Sequence, residues 1–110
     1  MSSNPYIGAR VGFDAERTVT GPFTGVAQVL GTPLDFPAVI ATFDNQSTVS
    51  VAVGVNGVTW KTFVAGEAMV LDLRANNGNA PTYAIDAHTQ FTVTGTAGTG
   101  SFRLSINYAR

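Results

Sequence analysis

The side chains that could do chemistry in this chain of 110 residues are few: one histidine, seven carboxylates and no cysteine. His88 could serve as a general base, but Ser-His-Asp catalysis also needs a nucleophile on a strained elbow. No Gly-x-Ser-x-Gly occurs, and His88 reads as a loop or strand-edge residue. Asp44, Asp72 and Asp86 are candidates for paired carboxylates or calcium ligands. No Asp-x-Asp-x-Asp-Gly loop is present, and Asp72 shares a strand face with Arg74 two residues on, which favours an ion pair. Residues 95–101, Gly-Thr-Ala-Gly-Thr-Gly-Ser, have the glycine amides of an anion-binding nest but no lysine and no following helix, so they read as a flexible hairpin loop. The absence of cysteine excludes disulfides and thiolate metal sites and leans toward cytosolic folding. Asn45-Gln46-Ser47 matches a glycosylation sequon, but with no signal peptide ahead of it the tripeptide reads as a polar loop. No catalytic residue, metal ligand or cofactor is assigned, and an enzyme is not expected.

The remaining chemistry is that of contact. Formal net charge is −1 and charged residues make up 12%. Arg10, Arg17, Lys61, Arg74 and Arg103 form no basic run, so nucleic acid is not an expected partner. Five of the six cations are arginine, the cation preferred where surfaces are covered. No window reaches the ~18 apolar residues of a membrane span, and a soluble product is expected. Trp60 is core if it points inward and a stacking platform or interface anchor if it points outward. Tyr6, Tyr83 and Tyr108 carry the same ambiguity.

These residues must be positioned by strands. In residues 48–74, Val49, Val51, Val53 and Val55 alternate with Ser50, Ala52 and Gly54, the period of a half-buried strand. Asn56-Gly57 suits a type I′ turn, which predicts an antiparallel return over residues 58–64. Ala65-Gly66 predicts a second reversal and a third strand of the same meander, with Met69, Leu71 and Leu73 on its apolar face. Val58, Trp60 and Thr62 fall on one face of the return strand, Thr59, Lys61 and Phe63 on the other.

Upstream, Tyr6, Ile7, Val11, Phe13 and Val19 are spaced without a clean period. Residues 1–21 therefore read as an extended N-terminal arm, with a short strand near Arg10 to Phe13, lying against its own domain or a neighbour. Gly21-Pro22 predicts a turn. Residues 23–30 can form a strand with Val26 and Leu30 buried, and Gly31-Thr32-Pro33 breaks it. Residues 36–43 are nearly all apolar, the pattern of a strand covered on both faces, and residues 44–47 read as a loop. After a turn-rich loop at 75–81, strands are expected near Tyr83 to Ile85 and over residues 89–94 and 101–108. No window pairs helix formers with a 3.6-residue period. The fold class is all-β, an antiparallel β-sandwich of jelly-roll connection over residues 22–110.

One family resemblance adds to this. Phe43-Asp44-Asn45, Val55-Asn56-Gly57-Val58-Thr59, Ala65-Gly66-Glu67, Val70-Leu71-Asp72-Leu73-Arg74-Ala75-Asn76, Gly95-Thr96-Ala97-Gly98-Thr99-Gly100-Ser101 and Leu104-Ser105-Ile106-Asn107-Tyr108-Ala109 recur in the order seen in small virion proteins of tailed bacteriophages, which the last two-thirds of the chain resembles. The resemblance implies a structural virion component, foremost a capsid cement or decoration protein bridging shell subunits. Its partners would be the major capsid protein or other virion proteins, and it would be assembled in the host cytoplasm.

A tail, connector or fibre component that binds carbohydrate is the alternative. A small hydrolase built on His88 is a third reading. At 45% hydrophobic and a mean hydropathy of +0.17, the chain holds more apolar surface than one small core can hide, which predicts association. A homo-oligomer is expected, a trimer first, to match local three-fold axes of a shell. The expected interface residues are Tyr6, Ile7, Arg10, Phe13 and Arg17 of the arm, together with Phe36, Trp60 and Arg74.

Overall fold

The computed structural model describes residues 11–73 and 85–109, and every regular element in them is a strand. Strands β1 (Val11–Phe13), β2 (Arg17–Thr20), β3 (Gln28–Val29), β4 (Ala38–Asn45) and β5 (Val51–Val55) precede Asn56-Gly57. Strands β6 (Val58–Phe63), β7 (Ala68–Asp72), β8 (Phe91–Gly95) and β9 (Ser101–Ala109) follow it. The turn has the expected geometry, with φ of 50° at Asn56 and 87° at Gly57. These are the left-handed values that asparagine and glycine tolerate best.

The pairing is nested about that turn. β5 pairs with β6, β4 with β7, β3 with β8 and β2 with β9, all antiparallel. The chain from Arg17 onward is thus one long hairpin. Two further antiparallel pairings, β4 with β9 and β5 with β8, roll that ribbon across itself. The result is a sheet ordered β1-β9-β4-β7, with β2 beside β1 along β9, and a second sheet ordered β3-β8-β5-β6.

The two sheets face one another across one core in a sandwich-like arrangement. Phe43 of the first sheet lies 5.6 Å from the Phe63 ring and 5.8 Å from the Phe91 ring of the second. Phe63 in turn meets Phe102 edge-on at 5.5 Å. Around these rings Leu30, Leu34, Val51, Val53, Val93, Leu104 and Ile106 are all buried. Alternation supplies this directly: Phe102, Leu104 and Ile106 are the inward residues of β9, and Phe91 and Val93 those of β8.

Several expectations are corrected. Within the expected arm, the short strand expected near Arg10 to Phe13 is present as β1 and lies against its own domain; the addition is a second strand at 17–20, also paired with β9, while Met1 to Arg10 lie outside the described residues. Over residues 23–30 only Gln28–Val29 is a strand. Val26 is 65% exposed rather than buried, and the inward residue of this stretch is instead Phe23, packed against Gly95, where an added Cβ would sit 2.8 Å from its ring. Asp44 and Asn45 belong to β4, not to a loop.

Neither of the two later reversals makes a hairpin within one sheet. The turn at 64–67 carries the chain from β6 to β7, and residues 96–100 carry it from β8 to β9, each time into the other sheet. The glycine-rich segment is tightly packed in doing so: a Cβ on Gly98 would sit 2.4 Å from Val49 Cγ1, and Gly100, at φ 101°, lies against the Ser47 backbone. Of the strand expected near Tyr83 to Ile85, Ile85 bridges to Ala38 and the rest lies outside the described residues.

Candidate functional site

Among the described residues β6 and β7 are the last strands of their sheets, and they run on the same side of the molecule because the turn at 64–67 joins them. Gly66 takes φ 82° there, and Glu67 N–H donates to the Val64 carbonyl at 3.0 Å. The Glu67 side chain closes the turn: Oε1 accepts Val64 N–H at 3.0 Å and Oε2 meets Lys61 Nζ at 3.2 Å. Those two donors, the Val64 amide first, hold the Glu67 carboxyl below its ordinary value of 4.5. The Lys61 ammonium also lies 4.8 Å from the centre of the Phe63 ring.

Between these edges the register of β6 slips. Val53 faces Lys61 but Gly54 faces Thr59, so Trp60 is one residue too many, a β-bulge. The bulge moves Trp60 off the face it would share with Val58 and Thr62 in a regular strand. Its ring reaches 5.2 Å from Phe43 and 6.1 Å from Phe63, while 42% of the residue stays exposed. Trp60 is therefore both core margin and surface. With Phe43, Val55, Leu71, Ile85 and Phe91 it lines a cleft of about 240 Å³ between the sheets. Among the described residues the lining is apolar apart from the indole N–H of Trp60, so this part of the cleft suits an aliphatic or aromatic group.

Along β6, the turn after it and β7, Val58, Val64 and Val70 are exposed. These three complete an apolar margin that the expected interface residues did not include. The one sign of it in the sequence was valine at strand positions that alternate with inward residues.

Of the expected interface residues that the structure describes, Phe13 and Phe36 lie at the same end of β9, while Trp60 and Arg17 lie elsewhere. Phe13 is 79% exposed and sits opposite Asn107 near the end of β9. Phe36 stacks on Tyr108 at 4.5 Å, at the same end of that strand. Trp60 belongs to the edge strand of the other sheet. Arg17 is buried and committed inside the domain: Nε donates to Thr32 O at 2.8 Å, Nη1 to Ala15 O, Nη2 to Pro33 O, and Nη2 meets Asp14 Oδ2 at 3.2 Å. Tyr6, Ile7, Arg10 and Arg74 lie outside the described residues.

The groups weighed for chemistry are also placed. His88 is exposed in a loop at φ 70°, its N–H bonded to Leu34 O at 2.7 Å. In the glycine-rich segment Gly98 N–H donates to Phe23 O and Thr99 N–H to Thr48 Oγ1, so those amides bind their own chain rather than an anion. Among the described residues no group of three His, Cys, Asp or Glu is placed to hold a metal ion. No protein-family model matches the chain, and no curated protein is similar to it in sequence.

Proposed function

We propose that this chain is a structural component of a tailed-bacteriophage particle, a capsid cement or decoration protein that bridges shell subunits through apolar contact, and that its sandwich is a jelly-roll. Strand order supports the fold: counted from β2, the first strand pairs with the last, the next with the second-last and so on to the tip, rolled into two sheets of alternating membership. That architecture is shared by viral capsid and lectin domains. The sequence resemblance over the last two-thirds of the chain supports the virion setting.

The observation that carries the adhesive reading is the exposure of Trp60 at an open apolar cleft, with Val58, Val64 and Val70 also exposed along the edge formed by β6, the turn after it and β7. Exposed apolar groups gathered in this way mark a surface that another molecule covers. Adding the purified protein to particles that lack it tests the proposal. Saturable binding at a fixed ratio to shell subunits, lost in Trp60→Ser/Val70→Ser with an unchanged circular dichroism spectrum, is the expected result; particles that bind none of it refute the reading. A half-exposed tryptophan also fits a sugar-stacking platform, and binding of the free protein to glycans in place of shells would favour that reading.

A further inference from the structure

The two edge strands are not alike. β6 carries the bulge at Trp60 and a lysine engaged with Glu67, devices that keep a sheet edge from pairing with another chain. β7 carries neither. Its register with β4 is unbroken from Asp44 opposite Ala68 to Ile40 opposite Asp72, and its sequence, Ala-Met-Val-Leu-Asp, has no proline, glycine or cation.

The backbone bonds say which peptide groups are spare. Asn45 N–H donates to Glu67 O and Leu73 N–H to Val39 O, so the odd-numbered residues 67–73 turn their peptide groups toward β4. By alternation, the N–H and C=O of Val70 point away from β4. Among the described residues no strand lies on that side.

We infer that β7 pairs with β7 of a second copy of this chain, antiparallel and centred on Val70. The strand is complementary to itself in that register. Val70, 63% exposed in the single chain, faces its own copy, and its N–H and C=O meet theirs as a hydrogen-bonded pair. Met69, half-buried at the core margin, faces Leu71 of the copy, and Asp72 faces Ala68 rather than a second carboxylate. A centre one residue on, at Leu71, would set Val70 against Asp72.

The pairing joins the two β1-β9-β4-β7 sheets into one continuous sheet across a two-fold axis, and it closes at two copies. It therefore differs from the three-fold order expected from the sequence. It stands on the edge geometry alone and holds whether or not the chain belongs to a virion.

The chain has no cysteine, so Val70→Cys gives a single thiol. In a hydrogen-bonded antiparallel pair the Cα atoms are about 5.5 Å apart, within the range a disulfide spans. Under mild oxidation V70C forms a covalent dimer roughly tenfold or more faster than V26C, whose site is equally exposed but off the edge, because pairing raises the effective thiol concentration. V70P removes the N–H that the copy needs and none that β4 needs. It falls from dimer to monomer by light scattering with its circular dichroism unchanged. A wild-type mass of one chain at all concentrations, or equal cross-linking of V70C and V26C, overturns the inference; if V70P unfolds, the cross-linking comparison decides alone.

Discussion

Asn45 fastens the end of β4 to the strands around it. Its side chain is fully buried, with Nδ2 directed at the carbonyls of Val49, Phe63 and Val64 at 2.9 to 3.0 Å, while Oδ1 accepts Ser47 N–H and Oγ–H. Alanine would strand several buried groups at once, each costing about 1–3 kcal/mol. Asn45→Ala is therefore expected to lower stability by about 2–4 kcal/mol. A shifted urea midpoint at an unchanged m-value would check it. An Asn inside Asp-Asn-Gln-Ser looks like loop or sequon because composition reports polarity and says nothing of burial; this side chain is polar since it replaces backbone partners.

Glu67 gives a pH signature at the same scale. Its carboxyl is depressed in the folded state by the Val64 amide and Lys61, so folding favours the ionised form. That contribution is complete above its unfolded value near 4.5 and is lost as pH falls through the lower folded value. Wild type should thus exceed Glu67→Gln in stability at neutral pH, and the gap should close in acid. Thermal unfolding from pH 7 to pH 2, by order of a few pH steps, would show a constant gap if the carboxylate were not involved.

Among elements, the β5–β6 hairpin is the one whose turn chemistry can be read and tested residue by residue. Gly57 sits at φ 87° with no atom within 4 Å of an added Cβ, so Gly57→Ala carries backbone strain and no clash. The expected cost is about 1–2 kcal/mol, measured by denaturant unfolding. Alternation also identified the inward faces of β5, β8 and β9, whereas the nearly continuous apolar run of β4 showed no face.

What alternation could not reveal is which strands pair, because both sheets look onto one core and show it the same apolar face. The turns at 64–67 and 96–100 therefore read as hairpins when each hands the chain to the opposite sheet. The face of Trp60 was hidden for a related reason. A bulge adds a residue to one strand only, and its evidence lies in the partner's register, Val53 to Lys61 and Gly54 to Thr59. Of the expected interface, Phe13, Phe36 and Trp60 were legible as large apolar residues, while Arg17 looked available because nothing local announces the carbonyls of Thr32 and Pro33 that enclose it.

At the scale of the whole molecule, the nested pairing orders the costs of folding. Val55 and Val58 meet across a two-residue turn, whereas Arg17 must find Leu104 across nearly the whole chain. Loop-closure entropy rises with separation, so the tip is the least costly place to start and the β2–β9 pairing the most costly to complete. Folding is expected on the order of milliseconds to seconds, as for other domains dominated by distant strand pairs. Two variants separate the ends of this sequence of events. Gly57→Ala acts where pairing begins and should express its loss of stability mainly as slower folding. Val19→Ala, on β2 opposite Phe102, should express its loss mainly as faster unfolding. Chevron plots of both variants would read the partition directly, and the reverse pattern would mean that the ends of the ribbon meet before its tip has turned.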